Sequence, residues 1–221
     1  MSYGFKAELW GDYALFTRPE MKVERASYDC ITPSAVRGIL EAVFWHPGVH
    51  YFVDKIYVLN EIKFANIRRN EVNFKISARN AKKVWQDGAG ELLYGVTTEG
   101  IAQRAALVLK DVHYVVAAHF ELEGEINTPQ NETKYSEILK RRLQKGQCYH
   151  MPYFGCREFP VNFGLYEDAT IKTAYEGERD LGFMLYDMDY SDPKNITPVF
   201  FRAVLRDGML NVQKAKEEVY R

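Results

Sequence analysis

Residues 112–123 read VHYVVAAHFELE, the clearest alternation of apolar and other side chains in the sequence. The apolar side consists of Tyr114, Val116, Ala118, Phe120 and Leu122. A spacing of two is typical of a half-buried β-strand, so this segment predicts a strand with one face toward the core. His113 and His119 lie on the other face, and we interpret them as satisfied polar residues at the edge of the core in preference to functional groups.

Two helices are predicted from capping residues and apolar spacing. The first begins after Thr32, a suitable N-cap, with Pro33 at its first position, and it stops before Pro47 and Gly48. Its apolar residues are Val36, Ile39, Leu40 and Val43. Gly38 inside this helix costs about 1 kcal/mol relative to alanine, so we expect it to pack closely against a neighbouring backbone.

The second predicted helix lies within NETKYSEILKRRLQKG at residues 131–146. Its apolar side consists of Tyr135, Ile138, Leu139 and Leu143, and Gly146 is a natural C-terminal stop.

The remaining segments predict mainly strands. They are YGFKAELWGDYALF at 3–16, with Tyr3, Phe5, Ala7 and Leu9 on one face, then 51–59, 62–76, 181–190 and 196–212. Asp207 and Gly208 indicate a hairpin, and a less ordered stretch with GAGELLYG at 88–95 follows the third strand. The order of elements predicts an α+β fold, with an antiparallel sheet, helices on one face and a small second sheet.

Composition indicates a soluble globular protein. The chain has 221 residues, of which 47% are hydrophobic and 27% charged, with a net charge of −1. We expect a cytoplasmic protein with no membrane contact, because no apolar run is long enough to span a bilayer and the N-terminus lacks the layout of a signal peptide. Cys30, Cys148 and Cys156 form no CxxC pair, so buried free thiols are expected.

Motifs for metal, nucleotide or serine-hydrolase chemistry are missing from the sequence. His46 and His50 are four residues apart, but Pro47 and Gly48 between them prevent a regular helix from presenting both to one ion. No GxSxG, Walker A or helix-opening GxGxxG occurs, and GAGELLYG lacks the Lys-Ser or Lys-Thr of a phosphate loop. The sequence therefore predicts neither a metal nor a cofactor.

The basic helix at 131–146 is the strongest functional signal. Taken alone, its Lys134, Lys140, Arg141, Arg142 and Lys145 are typical of a solvated face. Further basic residues recur at Arg18, Lys22, Arg25, Arg68 and Arg69, and nearby rings include Tyr13, Tyr28, Phe44 and Trp45. Lysine and arginine neutralise phosphates and rings stack on unpaired bases, so this combination favours a local RNA-binding patch.

Five ordered blocks give the sequence a family resemblance. They are GDYALFTRPEMKVERASYD (11–29), TPSAVRGILEAVFWHP (32–47), DVHYVVAAHF (111–120), NETKYSEILKRRLQKGQ (131–147) and GCREFP (155–160). Together they resemble the CRISPR-associated pre-crRNA endoribonucleases of subtype I-C, the catalytic branch of the fifth Cas family in the RAMP superfamily. The resemblance covers nearly the whole chain.

This resemblance implies a ferredoxin-like (RRM-like) domain over residues 1–148 and a small C-terminal β-sheet domain over 149–221. It also implies that the protein cuts CRISPR repeat RNA at the 3′ base of its hairpin and holds the 5′ handle as a subunit of the type I-C surveillance complex. The implied chemistry is metal-independent attack of a ribose 2′-hydroxyl on the adjacent phosphate, which needs a proton acceptor and a cation. A non-catalytic RNA-binding scaffold subunit of the same complex is the alternative.

Two positions depart from the family pattern. Family members commonly have Tyr-Trp or His-Trp where this chain has Phe44-Trp45, and Lys-His where it has Lys134-Tyr135. Phe44 has no titratable proton, and a phenol is a poor base at neutral pH. Three hypotheses remain open: Tyr135 acts together with Lys134, His46 supplies the imidazole, or positioning of the RNA does most of the work.

The candidate site residues follow from the basic patch and the resemblance. The candidate catalytic residues are Lys134, Tyr135, His46 and Phe44. The candidate RNA-binding residues are Arg18, Lys22, Arg25, Arg37, Trp45, Arg68, Arg69, Lys140, Arg141, Arg142, Lys145 and Arg157.

Overall fold

A computed structural model describes residues 4–21, 23–75, 77–88, 98, 100–215 and 219–220. Three predictions lie wholly or partly outside these residues: Tyr3 and Ile76 as strand residues, Lys22 as an RNA contact, and most of the GAGELLYG loop.

The described residues form a mixed α/β fold with one large sheet and few helices. The strands are β1 (Phe5–Ala14), β2 (Arg25–Ala26), β3 (Val49–Val58), β4 (Lys63–Val72), β5 (Ile101–Leu122), β6 (Asn162–Leu165), β7 (Glu178–Asp189), β8 (Thr197–Arg206) and β9 (Met209–Asn211). The helices are α1 (Pro33–Val43), α2 (Ala78–Asp87), α3 (Pro129–Lys145) and α4 (Val212–Ala215), and a short 3-10 helix spans Gly124–Ile126.

β5 organises the sheet. It is 22 residues long, and its C-terminal half pairs antiparallel with β1 on one side and β3 on the other. Its N-terminal half pairs antiparallel with β4 and briefly parallel with β2. Asp111, at the junction of the two halves, has a positive φ of 54°. The strand order is β6-β1-β5-β3-β9-β8-β7, with β2 and β4 attached to β5 outside this path.

The predicted strand at 112–123 is confirmed as the C-terminal half of β5. Its apolar side is buried, and Tyr114, Val116 and Phe120 join the core together with residues of α1 and α3. His113 and His119 are satisfied, as predicted, because they contact Glu8 and Asp54 at 2.8 and 2.9 Å. The strand begins eleven residues earlier than expected, where the apolar alternation is weaker.

Helix α1 has the predicted cap and core face. The Thr32 side chain accepts a hydrogen bond from the Ala35 backbone N–H, and the helix ends at Val43. The prediction for Gly38 is wrong, because this residue is exposed and a Cβ built on it would meet no atom within 4 Å. Gly38 therefore leaves a bare strip of helix backbone at the protein surface.

Helix α3 is also close to its prediction. The Thr128 side chain caps its N-terminus, and Gly146 ends it in the left-handed conformation. Tyr135, Leu139 and Leu143 are buried, whereas Ile138 is only half-buried. Helix α3 packs on β6, α1 packs on β3, and the two helices contact each other.

Helix α2 is an element that the sequence did not reveal. Ser77 caps its start and Gly88 its end, but none of its residues is buried. The apolar spacing that identified α1 and α3 reflects burial against the sheet, and α2 lacks that burial.

The C-terminal strands correct the expected architecture. Asp207 and Gly208 do form the turn between β8 and β9, with φ values of 50° and 72°. However, β9 pairs with β8 on one edge and with β3 on the other, so β7, β8 and β9 extend the large sheet and do not form a second one.

The three cysteines differ in burial. Cys30 is buried, and this burial raises the pKa of its thiol to about 12. Cys148 and Cys156 are only partly buried, so the expected buried thiol is confirmed for Cys30 alone. No helix among the described residues is long and apolar enough to cross a membrane.

Candidate active site at the meeting of helices α1 and α3

The end of α1 is held rigidly against the core. Phe44 follows the helix, and its backbone N–H donates to the Leu40 carbonyl oxygen. The buried Tyr51 hydroxyl donates to the Phe44 carbonyl oxygen at 2.7 Å. Burial raises the pKa of Tyr51, so its hydroxyl remains a donor at neutral pH. The Phe44 ring is buried and lies 5.7 Å from the Tyr135 ring.

His46 has a defined tautomer at this corner. Its Nδ1 lies 2.9 Å from the Pro47 carbonyl oxygen, which only accepts hydrogen bonds, so Nδ1 carries the proton in the neutral ring. Its Nε2 therefore presents a lone pair, and the Tyr135 hydroxyl lies 3.3 Å from it as donor. The two rings are 4.9 Å apart. His46 is half-buried whereas Tyr135 is 5% exposed, so an RNA reaches the imidazole more readily than the phenol.

Lys134 stands beside these rings on the solvent side. Its Nζ lies 5.7 Å from the centre of the Tyr135 ring, and its side chain is exposed. It has no ion-pair partner in the part of the chain that the structure describes. The corner thus combines an imidazole whose orientation is fixed by hydrogen bonds with an ammonium group that pairs with no carboxylate among the described residues.

Arg142 joins the two helices and does not point freely at solvent. Its guanidinium donates to the Val43 carbonyl oxygen and lies 5.2 Å from the centre of the Phe44 ring. These contacts set the end of α1 against α3, seven residues along the helix from Tyr135.

Five other predicted RNA contacts are already engaged within the protein. Arg18 binds Asp29, Arg25 binds Glu71, Arg37 binds Glu41 and Asp187, Arg69 binds Glu158, and Lys140 lies 3.8 Å from Glu137. The Arg37 contact to Asp187 uses two parallel hydrogen bonds and connects α1 to β7. These five side chains therefore already have carboxylate partners within the protein.

A second group is available for phosphates. Arg68, Arg141, Lys145 and Arg157 are exposed, and none of them has an ion-pair partner among the described residues. Lys134, Arg141 and Lys145 are spaced by seven and four residues, so they share one stripe of α3 about 16 Å long. This basic stripe starts at the candidate site and runs to the end of the helix.

Comparison with known proteins identifies the family. A family model described as CRISPR-associated protein (Cas_Cas5) matches residues 4–213. The chain belongs to this Cas5d family.

Two relatives named CRISPR pre-crRNA endoribonuclease Cas5d agree with this assignment. The protein from Mannheimia succiniciproducens is 46% identical over 217 residues, which cover 96% of each chain. The protein from Thermus thermophilus is 39% identical over 238 residues, which cover 98% of this chain and 94% of the relative. A solved structure titled as a CRISPR-associated protein is 22% identical, with a TM-score of 0.68 over 95% of this chain and 91% of the other, and it is similar in fold.

In this Cas5d protein, the two residues that depart from the family pattern lie next to each other. The departures Phe44 and Tyr135 pack against each other, and His46 lies against Tyr135. His46 Nε2, from the loop after α1, lies 3.3 Å from the Tyr135 hydroxyl on α3.

Sequence reasoning overlooked the aromatic segment YHMPY at 149–153. Tyr149 and Met151 are 81% and 63% exposed, close in exposure to the predicted Trp45 at 58%. The signal was in the sequence, because two rings and a methionine follow directly after the end of a basic helix.

Proposed function

We propose that this chain is a pre-crRNA endoribonuclease that cuts CRISPR repeat RNA at the 3′ base of its hairpin. We further propose that it stays on the 5′ handle as a subunit of the type I-C surveillance complex. The names of the two Cas5d relatives support this activity. The observation that carries the site assignment is the corner in which His46 Nε2, the Tyr135 hydroxyl and Lys134 meet.

In this proposal His46 is the general base. The ribose 2′-hydroxyl takes the place of the Tyr135 hydroxyl at Nε2, whose 3.3 Å contact is long and easily exchanged. The 2′-oxygen gives its proton to Nε2 and bonds to phosphorus, and the bond from phosphorus to the 5′-oxygen breaks. The 5′-oxygen takes up a proton from solvent, which leaves a 2′,3′-cyclic phosphate and a 5′-hydroxyl.

Lys134 is proposed to stabilise the charge that grows on the phosphate oxygens during attack. The remainder of the basic stripe, Arg141 and Lys145, binds phosphates further along the RNA and supplies affinity without chemistry. Tyr135 and Phe44 form the buried floor of the site. In the absence of RNA, the Tyr135 hydroxyl holds the His46 imidazole in place.

A non-catalytic scaffold subunit is the second candidate. It is favoured by one observation: Phe44 and Tyr135, at the two positions that depart from the family pattern, are both buried. Neither side chain exposes a titratable group to RNA.

Incubation of the purified protein with its repeat RNA in EDTA separates these functions. The endoribonuclease is expected to make a single cut at the base of the hairpin, with a 2′,3′-cyclic phosphate on the upstream product. An RNA with the same sequence but a disrupted stem is the control and should remain intact. Tight binding of uncut repeat RNA would support the scaffold and contradict the enzyme.

We propose that the helices α1 and α3 on one face of β1, β5 and β3 form a ferredoxin-like (RRM-like) unit within residues 1–148, and that residues 149–221 are a second domain. A cytoplasmic location is likewise proposed.

A further inference from the structure

The segment after α3 returns to the end of α1 and is anchored there. The Tyr149 and His150 backbone N–H groups both donate to the Ala42 carbonyl oxygen, at 2.9 and 3.4 Å. Further along, the Pro152 carbonyl oxygen accepts from the Val161 N–H at 3.0 Å. Hydrogen bonds at Tyr149 and at Pro152 thus fix the backbone of this segment at two points. Its anchor on α1, Ala42, precedes Phe44, where the candidate site begins, by two residues.

Its side chains project outward despite this anchoring. Tyr149, Met151 and Tyr153 are 81%, 63% and 40% exposed, and Trp45 at the end of α1 is 58% exposed. We call the rings of Trp45 and Tyr149 the aromatic ledge. Exposed rings on a fixed backbone are suitable for stacking on planar ligands, because little conformational freedom is lost on binding.

A groove of about 230 Å³ lies between α1 and the anchored segment, and one of its lining residues, His150, has its ring 5.6 Å from that of Tyr149. It is lined by Ala35, Gly38, Ile39, Ala42, His150, Pro152, Tyr153 and Gly155. Gly38 leaves the α1 side of this groove open, since no atom lies within 4 Å of the position that its Cβ would take. The exposed glycine, for which helix packing supplies no reason, thus borders a cavity beside the site.

The charge of the surrounding segment favours a polyanion as the occupant. None of the twenty residues 138–157 is Asp or Glu, although the chain contains 30 acidic residues among 221. Five residues of the same segment are lysine or arginine: Lys140, Arg141, Arg142, Lys145 and Arg157. The segment from Ile138 in α3 through Tyr149 therefore carries basic residues and no carboxylate, although the chain as a whole has a net charge of −1.

We propose that the aromatic ledge and the groove seat unpaired nucleobases of the RNA that border the scissile bond. This inference rests on the proposed function and assigns residues for substrate recognition to it. In-line attack requires the nucleotides at the cut to be splayed apart, and a displaced base that stacks on a protein ring holds that geometry. The basic stripe of α3 binds the backbone of the same RNA strand on its way to the ledge.

Binding of two RNAs to the full-length protein in EDTA tests the ledge. One RNA is the repeat hairpin alone, and the other carries the single-stranded flank; both have a 2′-deoxy nucleotide at the scissile position. We expect Tyr149→Ala to weaken binding of the flanked RNA about tenfold, since stacking on one ring contributes that much, and to leave the hairpin alone unaffected. Tyr149→Phe should restore the affinity. Phe183→Ala removes another exposed ring, on β7, and should change neither affinity.

A fluorescent base provides a second readout. With 2-aminopurine in the flank beside the scissile bond, the wild-type protein should quench the fluorescence by stacking, and Tyr149→Ala should reduce that quenching. Equal affinities of wild type and Tyr149→Ala for the flanked RNA, with equal quenching, would overturn the proposal and leave the ledge to a protein partner. Because binding is measured on RNA that cannot be cut, this result is independent of whether the wild-type protein cleaves repeat RNA.

Discussion

His46→Ala is expected to slow cleavage of repeat RNA by about 10²- to 10⁴-fold, the range for loss of a general base, with little change in RNA affinity. The Nδ1–H of His46 is committed to the Pro47 carbonyl oxygen, and Nε2 is the only ring atom left to accept a proton. Removal of the ring leaves Lys134, Arg141 and Lys145 of α3 in place, so the proposed phosphate contacts should be unaffected. Single-turnover rates with saturating protein, measured beside binding by filter retention, separate the two effects.

Tyr135→Phe distinguishes the imidazole from the phenol. It removes the hydroxyl that lies 3.3 Å from Nε2 but keeps the buried ring that packs on Phe44 and His46. We expect cleavage by this variant to remain within a few-fold of wild type, since the hydroxyl is displaced when substrate binds. If Tyr135→Phe cleaves far more slowly than wild type and His46→Ala cleaves normally, Tyr135 and not His46 is the general base.

Lys134→Ala is expected to lower the cleavage rate by about 10²- to 10³-fold, the cost of removing one group that stabilises an anionic transition state. Its ammonium is exposed and free of carboxylates in the part of the chain that the structure describes, so its full charge is available to the phosphate. Arg141→Ala is the matched control, because Arg141 lies on the same stripe seven residues away.

The control should behave in the opposite way. Arg141→Ala is expected to weaken RNA binding and to reduce its salt dependence by about one phosphate contact, with the single-turnover rate nearly unchanged. Equal losses of affinity and rate in Lys134→Ala would make Lys134 a phosphate anchor and remove it from the chemistry.

The sequence predicted those parts of the fold that depend on burial or caps. The alternation at 112–123 and the caps Thr32 and Gly146 each describe a local requirement, and each is present in the structure. Helix α2 was missed because it buries no residue. The sequence did not predict that the C-terminal strands join the large sheet. This connection depends on backbone hydrogen bonds between β9 and β3, which the pattern of side chains does not reveal.

The candidate site, like the fold, could be predicted from the sequence only in part. The proximity of His46 to Tyr135, 89 residues apart, was suggested only by the family resemblance, which placed both among the candidate catalytic residues. Which arginines are free could not be predicted in full, because Glu71, which pairs with Arg25, and Asp187, which pairs with Arg37, are 46 and 150 residues away. A run of basic residues in the sequence identifies a basic surface. The folded structure determines which of these side chains pair with carboxylates and which can bind phosphates.

Attack by the ribose 2′-hydroxyl at the corner of α1 and α3 is tested most directly by one substitution in the RNA. A repeat RNA with a single 2′-deoxy nucleotide on the 5′ side of the scissile phosphate is incubated with wild-type protein in EDTA, beside the all-ribose RNA. We predict equal affinity for both RNAs and no cleavage of the deoxy RNA, while the ribose RNA is cut to a 2′,3′-cyclic phosphate. Cleavage of the deoxy RNA at the same position, at a similar rate, would contradict the account.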